Sequence, residues 1–331
     1  MLKKLVTAAT FLAFFVIVFG AFVRLSDAGL GCPDWPGCYG KLVVSIEAPN
    51  HARAHELNER KAWIEMTHRY LAGTLGLLIL AIAGLWWRNR NHFGSPALAL
   101  CLVPLLAFQA LLGMWTVTLL LKPAVVTLHL LGGMATLALL VWLMMRISVR
   151  ARAAPHRHGD ARNLGAAALW GLVILIVQIG LGGWVSSNYA GLACPDFPLC
   201  DAQWVPEMAI ASGFHVVREL GVDAAGEPLS PLALNAIHWL HRLGAFVTFI
   251  YLGALAVWLA RKNTLRVYAG LLAGLLIIQI GLGAANVLLG LPLALAVLHN
   301  AVAALLLMTM VMLNFRVTSK RSKGETAWQQ A

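Results

Sequence analysis

The sequence predicts an all-α integral membrane protein. Eight transmembrane helices form two tandem four-helix bundles, related by a pseudo-twofold axis along the membrane normal. Three observations predict it. The 331 residues are 60% hydrophobic and 12% charged, with a mean hydropathy of +0.76, where a soluble domain carries roughly 25% charged residues. Apolar runs of about the 20 residues needed to cross a bilayer recur along the chain. A segment of the first half also recurs in the second. Backbone amides in lipid must be satisfied within their own segment, so these runs are helices.

The first run, Leu5–Val23, follows Lys3 and Lys4 and invites comparison with a secretory signal, with Ser26-Asp27-Ala28 as a small-x-small site. It is read as a span because it matches one in mid-chain. The second, Thr67–Trp87, stops at Arg88 and Arg90. Ala97–Leu121 and Ala124–Ile147 are the third and fourth, parted by Lys122-Pro123. Leu164–Val185 opens the second half. Ala236–Ala260 stops at Arg261-Lys262, and Val267–Leu289 and Leu293–Phe315 are parted by Gly290-Leu291-Pro292. The predicted units are residues 1–150, a linker at 151–163, and residues 164–331. The linker's His156 and His158 read as part of a solvated basic loop. Ala52–Met66 and Pro206–Gly221 interleave apolar and charged residues and read as helical segments on the membrane surface or roofing the bundle. Gly and Gln within the spans suit close helix packing.

The net charge of +11 would suit nucleic acid, but its distribution excludes that reading. Lys3, Lys4, Arg88, Arg90, Arg146 and the basic residues of 150–162, 261–266 and 316–323 all fall on one side of the eight spans. Of the acids, Asp160 and Glu325 alone share that side. This is the positive-inside pattern, with both termini cytoplasmic, in a bacterial inner membrane. Cys32 and Cys38 fall in the first outer loop, and Cys194 and Cys200 in the third. On an oxidising face they are expected to form two local disulfides. Cys101, alone in a span, reads as a small packing residue.

Residues 22–38 align without gaps on residues 184–200, from Phe22 on Trp184 through Cys32 on Cys194 to Cys38 on Cys200. His68-Arg69 matches His241-Arg242, Gln109 to Gly113 matches Gln279 to Gly283, and His129 matches His299. Parallel repeats of this kind are known in membrane proteins. The four histidines lie near the same end of spans two, four, six and eight, at similar depth. One intramembrane histidine is more often a hydrogen-bonded core residue. Four in register favour a cofactor, because polar groups in lipid are costly and usually functional.

Zinc requires about four protein ligands, or three and a water, and each half offers one carboxylate at most beside its two histidines. A porphyrin brings four nitrogens and needs one or two axial ligands, which two facing imidazoles supply. The expected iron ligands are His68 with His129 and His241 with His299. Arg69 and Arg242 stand either against heme propionates or at the lipid headgroups, and the residues leave both open. Glu65 precedes His68 by three and so shares its helix face, where the second half has His238. A carboxylate beside one pocket and not the other suggests different tasks, such as moving a proton or stabilising developing positive charge. The alternative for Glu65 is an acid paired with Lys61 or Arg69, and for His238 a polar lining or propionate partner.

With Glu65-Met66-Thr67-His68-Arg69, His129, His238-Trp239-Leu240-His241-Arg242, His299 and two Cys-Pro-Asp loops, the chain resembles the heme A synthase family, in its cysteine-bearing bacterial type. The resemblance covers essentially all eight spans. It implies an oxidoreductase that uses oxygen to convert a methyl group of heme O to a formyl group, giving heme A for cytochrome oxidase assembly. It implies a resident heme b on His241 and His299. Substrate heme O then lies on His68 and His129, with Glu65 essential. It also implies a connection with heme O synthase, the farnesyltransferase, and with an electron donor that the sequence does not name; a homo-oligomer is one option for its assembly. The alternative is a di-heme b-type electron-transfer cytochrome, which would hold both hemes permanently and would not need Glu65.

Overall fold

A computed structural model describes residues 1–44, 59–148 and 158–318, with side chains omitted at 158–161. His156, most of the linker, residues 45–58 and the carboxyl-terminal residues 319–331 lie outside the described residues, while the backbone of His158 opens the fifth helix.

Eight long helices run through the chain: α1 (Leu2–Leu25), α2 (Glu59–Arg88), α3 (Ala97–Thr118), α4 (Pro123–Ser148), α5 (His158–Ser187), α6 (Pro231–Ala260), α7 (Arg266–Leu288) and α8 (Leu293–Thr318). All eight are long and apolar enough to cross a membrane. Their surfaces carry the apolar residues that lipid would cover, such as Leu77 at 70% exposure and Val267 at 72%. Each sequence span lies within, or within a few residues of, one helix. The chief difference is at α2, α5 and α6, which start earlier than the hydropathy, at Glu59, His158 and Pro231. At α6, Ser230 accepts a hydrogen bond from the Ala233 amide and Pro231 takes the first helical position, a start set by capping. The α3–α4 and α7–α8 connections are tight turns through left-handed residues, Leu120 and Leu121 in one, Gly290 and Leu291 in the other.

Each half closes a ring in the same order. In the first, α1 packs on α2, α2 on α3, α3 on α4 and α4 on α1; α5 to α8 repeat this. Helices α1, α4, α5 and α8 also pack across the middle, so they form the centre and α2, α3, α6 and α7 the flanks. Trp142 of α4 meets Phe315 of α8 edge to face at 5.1 Å in that centre. The predicted roofing segments need correcting. Residues 59–66 are simply the first turns of α2. Within 206–221 only Ile210–Gly213 is helical. Phe214 of that segment packs inward, stacking on Trp184, whose indole N–H donates to Gly213 O at 2.9 Å, while Ile210, Val216 and Val217 are exposed. Arg218 is buried against the Asn188 side chain. Cys101 is exposed on α3 and is no packing residue.

Candidate functional site

The helix ends nearest the cysteines carry the site. Cys32–Cys38 and Cys194–Cys200 are both bonded, with Cα atoms 4.9 and 4.6 Å apart. Each closes a short loop with an aspartate inside it. Asp34 accepts the Tyr39 and Gly40 amides, both at 2.7 Å, and Asp196 accepts those of Asp201 and Ala202 at 2.9 and 2.8 Å. The Ala202 amide, foremost, holds the Asp196 carboxyl below the usual carboxylate range.

The loops sit on the two arginines that follow the ligand histidines. Arg69 donates to the carbonyls of Asp34, Pro36 and Gly37 and, at 2.5 Å, to Glu65 Oε1. Arg242 donates to the carbonyls of Asp196, Leu199 and Cys194. Neither reaches outward to headgroups; their guanidinium groups are the pedestals of the disulfide loops. Glu65, 4% exposed, also accepts the Cys32 amide on Oε2 at 2.9 Å. His238 occupies the same socket: Nδ1 lies 3.2 Å from the Cys194 amide and Nε2 3.2 Å from Arg242 Nε. A carboxylate accepts both donors, whereas a neutral imidazole accepts at one nitrogen only.

Beneath each loop lie two histidines. His68 and His129 line a cavity of about 560 Å³ in the first half, a size suited to a sizeable ligand. Its wall also includes Arg24, Glu65 and Arg69. In the second half Gln178 Nε2 lies 3.1 Å from His241 Nδ1, and Gln279 Nε2 lies 3.2 Å from His299 Nε2. Every one of the four rings packs on a glycine of the preceding helix. A Cβ built on Gly20 would stand 2.9 Å from His68 Cε1, on Gly113 3.4 Å from His129 Cε1, on Gly182 3.1 Å from His241 Cε1 and on Gly283 3.2 Å from His299 Cε1. Sequence reasoning read these glycines and glutamines as packing only. The signal was the Gln-x-x-x-Gly spacing, which puts both residues on one helix face.

Among the described residues, the buried side-chain nitrogens and oxygens without a partner gather here. They are Nδ1 of His68, His129 and His299, amide atoms of Gln109, Gln178, Gln279 and Asn286, and Arg24 Nε. A buried polar atom left unpaired costs about 1–3 kcal/mol. Such a concentration at two ring pairs fits a site built to hold a polar-centred, flat, apolar-edged group, and a bis-imidazole heme meets that description. No cluster of three or more metal-ligating side chains occurs among the described residues, so a metal here would need its other ligands from elsewhere, as a porphyrin provides. Arg24 is the remaining cation of the first cavity. It donates to Ser186 O at 2.7 Å, lies 3.6 Å from Asp27 and stacks 4.0 Å over the Tyr189 ring, which joins the two halves.

Fold and site together define a multi-pass membrane protein with two histidine pairs, each under a disulfide-closed loop. A family profile for cytochrome oxidase assembly proteins matches residues 3–311. The chain belongs to that family. It is similar to a heme A synthase of Shewanella oneidensis, 45% identical over 320 residues that cover 93% of this chain and 94% of the relative. It is also similar to heme A synthases of Bacillus licheniformis, 28% identical with 90% of each chain covered, and of Halalkalibacterium halodurans, 26% identical with 89% and 90% covered.

Proposed function

We propose that this protein is a heme A synthase, an oxidoreductase of the bacterial inner membrane that takes heme O as substrate and, with molecular oxygen as oxidant, oxidises one ring methyl group through an alcohol to an aldehyde. The observation that carries the reading is the pair of buried imidazoles, His68 and His129, with unpaired nitrogens in the wall of one cavity. The relatives that bear the heme A synthase name support it along the whole chain. Substrate occupies residues 1–150, and a resident heme b occupies residues 164–331 on His241 and His299; the halves are related by a twofold axis along the membrane normal. When bound, heme b supplies one-electron redox chemistry. Both termini are cytoplasmic, and both disulfide loops face outward.

The residues divide the work as follows. His68 and His129 orient the substrate ring and hold its iron. Their glycine neighbours fix the imidazole planes from behind. Arg24 meets a substrate carboxylate at the cavity rim through its unpaired Nε, whereas the Nη donors of Arg69 are committed to loop carbonyls and Glu65. Glu65 places a negative charge, balanced by Arg69, at the cavity wall, where low dielectric strengthens its pull on an electron-poor carbon or a departing proton. The disulfide loop above excludes water. An electron-transfer cytochrome would have no need of Glu65, the buried carboxylate in the wall of the first cavity, whose place in the second half is taken by His238.

The test is chromatography of hemes extracted from cells that make heme O and carry the Glu65→Gln variant. Little or no heme A, with heme O still bound to the purified protein, is the expected result. Normal heme A would remove Glu65 from the chemistry.

A further inference from the structure

We propose that the first-half cavity opens sideways into the membrane through a slot between α2 and α3, and that this slot holds the isoprenoid tail of the substrate. The inference rests on the reading that heme O binds at His68 and His129. Gly73 and Gly76 on α2 and Ala110 on α3 belong to the cavity wall. Gly73 and Ala110 are also exposed, unlike the buried Gly76. A residue that faces both the cavity and the exterior lies at a mouth. Nothing lies within 4 Å of a Cβ on Gly73, and one on Gly76 meets Leu106 first, at 3.3 Å. Gly73 lies five residues beyond His68, about 7 Å further along the helix at 1.5 Å per residue, so the mouth faces hydrocarbon and not the headgroups.

The second half lacks this run of small residues. In the register that pairs His68 with His241 and Gln109 with Gln279, Gly73 corresponds to Phe246, Gly76 to Phe249 and Ala110 to Ile280. All three small residues are exchanged for bulky ones. The unpaired, buried ring nitrogens of His68 and His129 in the same wall mark the cavity as a ligand site independently of the small residues. A tetrapyrrole held at those rings, with carboxylates toward Arg24, places an apolar substituent of its far edge at this mouth. A long prenyl chain cannot fit beside the ring in the bundle core and is at home in lipid. A permanently held, tail-less heme needs no such opening, which fits the bulky residues of the second half.

The experiment titrates the purified full-length protein in detergent with heme O and, separately, with protoheme, which has no tail, following the Soret band. Gly73→Phe and Ala110→Ile place the second half's residues in the first. Each is expected to weaken heme O binding about tenfold or more while changing protoheme binding less than about twofold. Ala110→Ile is the smaller change, at an exposed edge of the cavity wall, and serves if the phenylalanine variant does not fold. Equal weakening of both hemes, or no change in either, overturns the slot. His68→Ala in the same titration separates the two ideas. Loss of heme O binding there, with slot variants unaffected, sinks the slot and keeps the site; heme O binding that survives His68→Ala sinks the site reading and the slot with it.

Discussion

A ring held in the seam between two helices needs a neighbour without a side chain. The four histidine–glycine contacts meet this need four times, at Gly20, Gly113, Gly182 and Gly283. Enlarging one pushes the imidazole off its position. Gly182→Leu overpacks the seam by a cost of about 1–3 kcal/mol and should strip or convert the six-coordinate heme of the second half, read as loss of the low-spin absorbance of the purified protein. An unchanged spectrum would refute the contact's role. The Glu65 and His238 sockets give a second prediction. His238→Glu supplies an acceptor for each of two donors where the ring supplies one. It should stabilise the second loop by about 1 kcal/mol, read as slower protease cleavage between Cys194 and Cys200; faster cleavage would mean that the imidazole suits the socket better. The histidines were legible in the sequence because polar residues stand out in apolar runs. Their glycines were not, since glycine is common in spans and means something only beside the ring it touches. The arginines' carbonyl partners come from loops 32 to 48 residues away, beyond the reach of local pattern.

At the scale of elements, hydropathy located every long helix and missed where three of them begin. The first turns of α2 and α5 carry charged and polar residues, so the apolar window starts late there, whereas α6 begins on an apolar turn whose start is set by the Ser230 cap. The segment 206–221 is helical only at Ile210–Gly213, because Phe214 turns inward onto Trp184 and breaks the periodic pattern, while Ile210, Val216 and Val217 stay exposed. The disulfides are short staples. Closing a loop of this length contributes about 2 kcal/mol in the chain-entropy account. Peptide mapping under non-reducing conditions should recover Cys32 with Cys38 and Cys194 with Cys200. The double change Cys194→Ser and Cys200→Ser should leave the heme spectrum near normal while exposing the loop to protease. Loss of the spectrum would instead make the bond part of the heme site.

Across the whole molecule, the central helices α1, α4, α5 and α8 carry the contacts between halves, with one histidine of each pair, His129 and His299, on α4 and α8. The repeat in the sequence announced two similar units. It did not announce how they would meet, because the residues that join them stand at aligned positions of the two repeats but differ in kind: Arg24 aligns with Ser186, and Asp27 with Tyr189. Arg24 reaches Ser186 O, Tyr189 donates to Asp27 at 3.0 Å, and the Thr127 and Ser187 hydroxyls lie 3.2 Å apart. The orientation proposed for the bundle predicts that cysteines at Asn89 and Asp223, on a Cys101→Ser background, label from opposite faces of the membrane. Labelling of both from one face would overturn the topology.

The shared socket beneath the two disulfide loops bears on descent. Glu65 and His238 stand in one architectural frame, between a cysteine amide and an arginine, and the carboxylate satisfies that frame more fully. A duplicated unit that began with glutamate in both copies needs only one exchange to give its halves unlike charge, while loops, pedestals and rings stay as they were. The unlike charge of the two sockets thus lies a single residue away from symmetry.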